Sequence, residues 1–300
     1  MYVDRLVGTD AGIPPRLVMI HGACNTGACF LVTPDGRPGW AHDFAEAGYD
    51  TYVVDWPGHG RSPMRPGFMT LSTRDVRDAV AGLLREIGPS ILLAHSAGGP
   101  IAWSLAESVP HLVQAIIGVA PGPPANLVDN LPPKGEALEA MAKDSESGLP
   151  ISAPVDELFY VDLDFVQQHW FTGAQAPIGA AEHYYRMVVP ESPRVINERF
   201  NIEGQGVGVS DVTLIGNRPI LIVTPDSDPR HPRSLDAKTA SLFGADFVWL
   251  ADRGILGNGH MLMSDRNSLA ISKLMMGWLS SVGMGMNAPA RKHDPSGNDG

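Results

Sequence analysis

Short apolar runs alternate along the chain with stretches whose apolar residues recur every three or four positions. Seven runs read as strands: Tyr2 to Val7, Arg16 to Ile20, Thr51 to Asp55, Ser90 to Ala94, Ala115 to Val119, Pro219 to Thr224 and Phe247 to Leu250. Most are nearly unbroken in Val, Ile and Leu, as strands covered on both faces must be. Between Thr73 and Ile87, the residues Val76, Val80, Leu83, Leu84 and Ile87 fall at helical spacing, and Gly99 to Ser108 and Arg266 to Ser280 read as further helices. This alternation predicts an α/β protein with a mostly parallel, doubly wound sheet.

One interval breaks the rhythm. From Pro121 to Leu214, 94 residues separate two core strands, far more than a crossover needs. The interval opens Pro-rich and carries Phe159, Tyr160, Phe165, Trp170 and Phe171. It predicts a helical cap, 121–214, inserted into a core made of 1–120 and 215–282 and lying over the sheet edge where open α/β sheets bind ligands. The tail 283–300 is rich in Gly, Asn, Pro and charge and is expected to be disordered. Between Asp129 and Asp164 nine acids face only Lys134 and Lys143, a net −7. Those acids suit a solvated outer face, or a filter against anionic substrates.

Composition narrows the partners. The 300 residues carry a net charge of −11, which argues against nucleic acid or an anionic membrane surface. No stretch approaches the ~18 apolar residues of a membrane span. The start, Met1-Tyr2-Val3-Asp4-Arg5, has no basic segment followed by an apolar one, so a cytoplasmic protein is expected. Cys24 and Cys29 are too few for a disulfide scaffold and are expected to be two buried thiols.

The chemistry concentrates at Ala94-His95-Ser96-Ala97-Gly98-Gly99, between a strand and a helix. A nucleophile on so sharp a turn needs small residues two before and two after it, and Ala94 and Gly98 meet that need. A serine that merely caps the helix is the plain alternative. An acyl-transferring Ser96 needs a base from elsewhere in the chain. Of ten histidines, His260 follows the last strand in a glycine-rich loop and precedes the final helix. His95 points the wrong way along the turn, while His21 and His59 belong to a strand end and a structural turn. His42, His111, His169, His183, His231 and His293 read as surface or cap residues, with His169 or His183 candidates for lining a pocket. No Cys/His cluster has zinc spacing and no glycine loop has a phosphate or dinucleotide pattern, so no metal and no organic cofactor is expected.

The order His21-Gly22, then Asp55-x-Pro57-Gly58-His59-Gly60-x-Ser62, then the Ser96 turn, then a late histidine resembles the α/β-hydrolase family. Three stretches resemble a bacterial and fungal esterase group within it: His21 to Gly27, Pro34 to Trp40, and Gly257-Asn258-Gly259-His260-Met261-Leu262-Met263. The resemblance covers about 16–119 and 219–282. It implies an eight-stranded sheet, yet only one strand candidate precedes the His21-Gly22 strand. It also implies that the backbone amides of Ala23 and Ala97 face the developing oxyanion. The esterases' orienting acid is a Glu just after the strand that follows the nucleophile's helix, where this chain has Ala120. The wider fold's alternative lies in Pro219 to Asp228, with Asp228 favoured and Asp226 second; a plain Asp-Ser-Asp-Pro turn, or a site without an acid, are the other readings.

Hydrolysis of a mainly apolar carboxylic ester or lactone through an acyl-Ser96 is therefore expected, in a pocket lined by the aromatics and by Met261 and Met263. C–C bond or thioester cleavage on the same scaffold, or a ligand-binding homologue without turnover, are the rivals.

Overall fold

The computed structural model describes residues 1–8, 14–144 and 148–285. Seven strands form one sheet in the order β1-β3-β2-β4-β5-β6-β7. They are β1 (Tyr2–Leu6), β2 (Arg16–Ile20), β3 (Asp50–Asp55), β4 (Ser90–His95), β5 (Val113–Val119), β6 (Ile220–Thr224) and β7 (Asp246–Trp249). Only β1 is antiparallel, pairing Tyr2 with Asp55 and Leu6 with Thr51 on β3; the other pairings are parallel. The described sheet thus has a single strand ahead of β2, as the one candidate there required. Predicted boundaries shift by one or two residues: β5 begins at Val113, and β7 ends at Trp249 because Leu250 turns into a 3-10 helix.

Eleven helices are described: α1 (Ala28–Leu31), α2 (Trp40–Glu46), α3 (Thr73–Ile87), α4 (Gly98–Ser108), α5 (Glu136–Lys143), α6 (Leu163–His169), α7 (Ala180–Tyr185), α8 (Pro193–Arg199), α9 (Val212–Gly216), α10 (Arg233–Phe243) and α11 (Ser268–Ser281). The two-residue period of the strands sorts their side chains between two cores. Leu17, Met19, Ile91 and Leu93 face a core shared with Phe30, Trp40, Met275 and Leu279. Val18, Ile20, Leu92 and Ala94 face one shared with Val76, Val80, Leu84, Trp103 and Phe243. Helix α3 starts where Ser72 accepts from the Asp75 amide and Asp75 accepts from the Ser72 amide, satisfying two donors the first turn leaves open. Its Val76, Val80 and Leu84, one turn apart, bury the face toward the sheet.

Helices α5 to α8 lie within 121–214, between β5 and β6, and α9 runs across its end. The segment has a small core of its own, in which Leu131, Leu138, Ala153, Ile196, Phe200 and Ile202 pack. Val166, Trp170 and Tyr184 instead join the sheet-facing core. The segment's backbone is also tied to two loops at the sheet edge. The Val189 amide donates to the Cys24 carbonyl at 3.1 Å, the Met261 amide to the Trp170 carbonyl at 3.2 Å, and the Gln175 amide to the Gly257 carbonyl at 2.8 Å. Of the tail 283–300, residues 286–300 lie outside the described residues.

Candidate active site

The C-terminal ends of β2, β4, β5 and β6 meet at one edge, and three non-glycine residues there hold a left-handed backbone: Cys24 (φ 58°), Ser96 (φ 53°) and Ala120 (φ 41°). Such conformations cost of order 1–3 kcal/mol each and persist only where the surroundings fix them. At Ser96 the fixing is visible. Its amide donates to the Val119 carbonyl at 3.2 Å, and its carbonyl accepts from Gly99 at 2.9 Å and Gly122 at 2.7 Å. A Cβ on Gly98 would sit 2.8 Å from the His21 carbonyl oxygen, and one on Gly99 would sit 2.5 Å from that of Gly122. The turn can therefore form only with small residues at these positions, which is why its sequence pattern is legible.

The turn presents Ser96 Oγ 3.0 Å from His260 Nε2, and His260 Nδ1 lies 2.7 Å from Asp228 Oδ2. Asp228 Oδ1 accepts from the Arg230 amide at 2.8 Å. Burial would push the Asp228 carboxyl up, but His260 and this amide outweigh it and hold it at about 2. Burial pulls His260 below its ordinary value, and Asp228 offsets only part of that. A neutral imidazole with Nδ1–H pointed at a carboxylate leaves Nε2 free to accept the serine proton.

Asp226 does not touch His260. Its two oxygens accept from the Gly257 and Asn258 amides, each at 3.0 Å, so it braces the loop that carries the histidine. His95 lies beneath, its Nε2 donating to the His260 carbonyl at 3.1 Å and its ring 4.7 Å from the His260 ring. Ala120 sits buried at the end of β5, its amide donating to the Val223 carbonyl.

Ala23 and Ala97 both border the cavity over Ser96, and among the described residues neither amide has an internal acceptor. The Ala23 side is held by Glu191, a fully buried residue that the sequence offered no means of finding. Glu191 Oε2 accepts from the Cys24 amide at 3.2 Å and contacts His59 Nε2 at 3.0 Å, while Oε1 accepts from the Ser192 amide at 2.8 Å. Burial opposes charge on His59, but Glu191 more than offsets it and raises the imidazole's pKa.

The cavity is about 40 Å³ and is walled by Phe159, Phe165, Trp170 and Phe200, with Ser96, His260, Arg199, Arg230 and His231 at its surface. Several expectations change here. Met261 and Met263 are wholly buried in the sheet-facing core and do not line the cavity, because the backbone tie to Trp170 turns the loop inward after His260. Tyr160 points to solvent, and His183 is exposed; neither His169 nor His183 lines the cavity. His231, expected at the surface, is buried: Asp236 holds its Nδ1 at 3.0 Å, and its ring stacks on His260 at 5.4 Å. Arg199 and Arg230 went unnoticed in the sequence, although Arg230 and His231 follow Asp228 within the same Asp226-to-Pro232 string. Among the described residues no group of three His, Cys, Asp or Glu side chains is arranged to hold a metal ion, and no helix is long and apolar enough to cross a membrane.

Known proteins share this architecture. A probable secreted lipase from a fungal species is 26% identical across 93% of this chain and 85% of its own. A pyrethroid hydrolase from Sphingobium wenxiniae is 33% identical over half of each chain. The crystal structure of a monoacylglycerol lipase from Paleococcus ferrophilus superposes with a TM-score of 0.64 at 17% identity, covering 93% of this chain and 98% of that one, a likeness of fold alone. The profile of the alpha/beta hydrolase family matches residues 17–271, and the chain belongs to that family.

Proposed function

We propose that the protein is a serine esterase or lactonase, with Ser96 as nucleophile, His260 as base and then acid, and Asp228 as the group that orients His260. The observation that carries this reading is the Ser96 Oγ to His260 Nε2 approach of 3.0 Å on a left-handed turn, beside two unengaged backbone amides. As Ser96 attacks the ester carbonyl, its proton passes to His260 Nε2, and Asp228 stabilises the imidazolium. The carbonyl oxygen takes the negative charge within reach of the Ala23 and Ala97 amides. Collapse of the tetrahedral adduct breaks the C–O bond, and His260 returns the proton to the departing alcohol. A water, deprotonated by the same imidazole, then releases the acid from Ser96.

The 121–214 segment acts in this reading as a cap over the cavity. A cavity of about 40 Å³ admits a small group beside Ser96, whereas drug-sized ligands occupy roughly 300 Å³ or more. Short acyl or alcohol groups fit the closed cavity, and longer ones require the Phe165 and Trp170 wall to give way. The test is hydrolysis of p-nitrophenyl acetate by wild type and Ser96→Ala. Loss of a triad serine costs about 10⁶-fold in kcat in a comparable hydrolase. A variant within tenfold of wild type overturns the assignment.

A further inference from the structure

The charge around this site is sorted in an unusual way. The chain carries −11 overall, yet among the described residues no Asp or Glu borders the cavity, and Arg199 and Arg230 do. Arg199 is 9% exposed and Arg230 8% exposed, so both are taken almost wholly out of water. Charged side chains are seldom so deeply buried without a partner of opposite charge.

Among the described residues neither guanidinium forms an ion pair, although the charge of Asp228 favours both cations and that of Asp236 favours Arg199. The Arg199 guanidinium has no hydrogen bond or ion pair among the described residues, and the Arg230 guanidinium has one hydrogen bond, to the Leu149 carbonyl at 3.2 Å. Asp228, whose charge favours the Arg230 cation, spends its oxygens on His260 and on the Arg230 backbone amide. The two cations also lie against aromatic rings: Arg199 is 4.9 Å from the centroid of Phe200, and Arg230 is 5.5 Å from the same ring and 5.3 Å from Phe165. Burial lowers the pKa of each to about 10, with the neighbouring Arg230 adding to the effect on Arg199. Both stay charged at neutral pH.

Arg199 is also close to the nucleophile's backbone. A Cβ on Gly122 would lie 2.6 Å from Arg199 Nε, and the Gly122 amide donates to the Ser96 carbonyl at 2.7 Å. The bare backbone at Gly122 is what lets the guanidinium pass over the turn. Two buried guanidiniums beside one ring and the proposed nucleophile offer the kind of N–H donors that hold the two oxygens of a carboxylate.

We propose that Arg199 and Arg230 form a carboxylate subsite, and that the substrates are small esters bearing a free carboxylate in addition to the bond cleaved. This rests on the Ser96 reading and replaces the expectation of a mainly apolar substrate. The described acids of the 129–164 stretch are all exposed, so they do not oppose the subsite from within the cavity.

Two substrate pairs test it, each matching a carboxylate to its uncharged primary amide. Monoethyl glutarate against ethyl 4-carbamoylbutanoate places the charge on the acyl side; 4-acetoxybutanoate against 4-acetoxybutanamide places it on the alcohol side. In at least one pair the carboxylate is expected to show kcat/KM tenfold or more above the amide, and Arg199→Gln to bring that ratio to near one. Wild type turning over both amides as well as the acids overturns the subsite, as does a ratio unmoved in folded Arg199→Gln. Should that variant not fold, competitive inhibition of wild-type p-nitrophenyl acetate hydrolysis by glutarate but not glutaramide supports the subsite, and equal inhibition by the two overturns it. If wild type hydrolyses no ester at all, the Ser96 reading has failed instead. Glutarate then raises the melting temperature of the wild-type protein if the subsite exists, and leaves it unchanged if it does not.

Discussion

The two regions that meet over Ser96 are held in place by opposite means. On the sheet side, close backbone contact dictates the geometry: Gly98 and Gly99 allow the turn, and Ser96 is fixed by donating its amide to Val119 and accepting from the Gly99 and Gly122 amides. On the side of 121–214, position is set by distant partners. Glu191 reaches the Cys24 amide and His59, Tyr184 hydrogen-bonds Asn25, and Thr172 hydrogen-bonds the Ser227 carbonyl. The sheet side contributes the proposed reacting groups Ser96, His260 and Asp228, and the 121–214 side most of the cavity wall, including Arg199. Reaction and selectivity are thus assigned to different parts of the chain, and each can be perturbed separately.

The largest effect belongs to the sheet side. Asp228→Asn should lower kcat for p-nitrophenyl acetate by about 10⁴-fold, the cost of the wrong tautomer in the serine-protease triad. The wild-type rate should rise with pH through a value below the ordinary histidine pKa, since His260 acts as a base only when neutral and burial lowers its pKa. Asp228 opposes that lowering, so in the variant the residual activity should titrate at still lower pH. Ala120→Glu should bring no gain. A silent Asp228→Asn combined with a gain in Ala120→Glu would move the orienting acid to the end of β5.

These contrasts also explain what the sequence could reveal. Ser96 and His260 sit where sterics permit few residue types, so their neighbours Ala94, Gly98, Gly257 and Gly259 carried a readable pattern. Asp228 was harder, because one Asp-Ser-Asp string serves two jobs: Asp226 braces the Gly257-Asn258 backbone while Asp228 meets the histidine. Besides their chain neighbours Ser192 and Phe200, Glu191 and Arg199 meet residues more than 70 positions away, such as Cys24, His59 and Gly122. No local period or spacing encodes that. Met261 and Met263 misled for the converse reason, since a motif fixes order along the chain but not which side of the loop is buried.

A smaller effect should come from cutting the seam between the regions. Glu191→Ala leaves His59 and the Cys24 and Ser192 amides without a buried partner, and removing one member of a buried pair costs about 3–5 kcal/mol. The melting temperature should fall by roughly 10 °C for a chain of this size. The loss should depend on pH. His59 is raised above its unfolded value, so its stabilisation is complete below about pH 6.5 and fades as pH rises through the folded value. The gap between wild type and variant should therefore be widest in acid and narrow toward alkaline pH. Thermal melts across that range check it, and a gap that widens upward in pH would show that Glu191 does not favour the charged imidazole.

The smallest effect should come from the thiols, which lie at the same seam. Cys24 and Cys29 are each 1% exposed, and neither is in a disulfide. Burial pushes both thiols up, helped by Glu191 at Cys24 and by Asp55 at Cys29. The thiolate is the species that alkylates, so both deep burial and a raised pKa protect these groups. Iodoacetamide at neutral pH should leave ester turnover unchanged and add no mass to the native protein. After unfolding without reductant, two adducts per chain should appear, because two free thiols are then exposed. No adduct would mean a Cys24–Cys29 bond. Labelling of Cys24 alone in the native protein would be more informative, since its amide and carbonyl hold Glu191 and Val189: it would show that the segment lifts from the Ala23 loop while the sheet beneath stays folded.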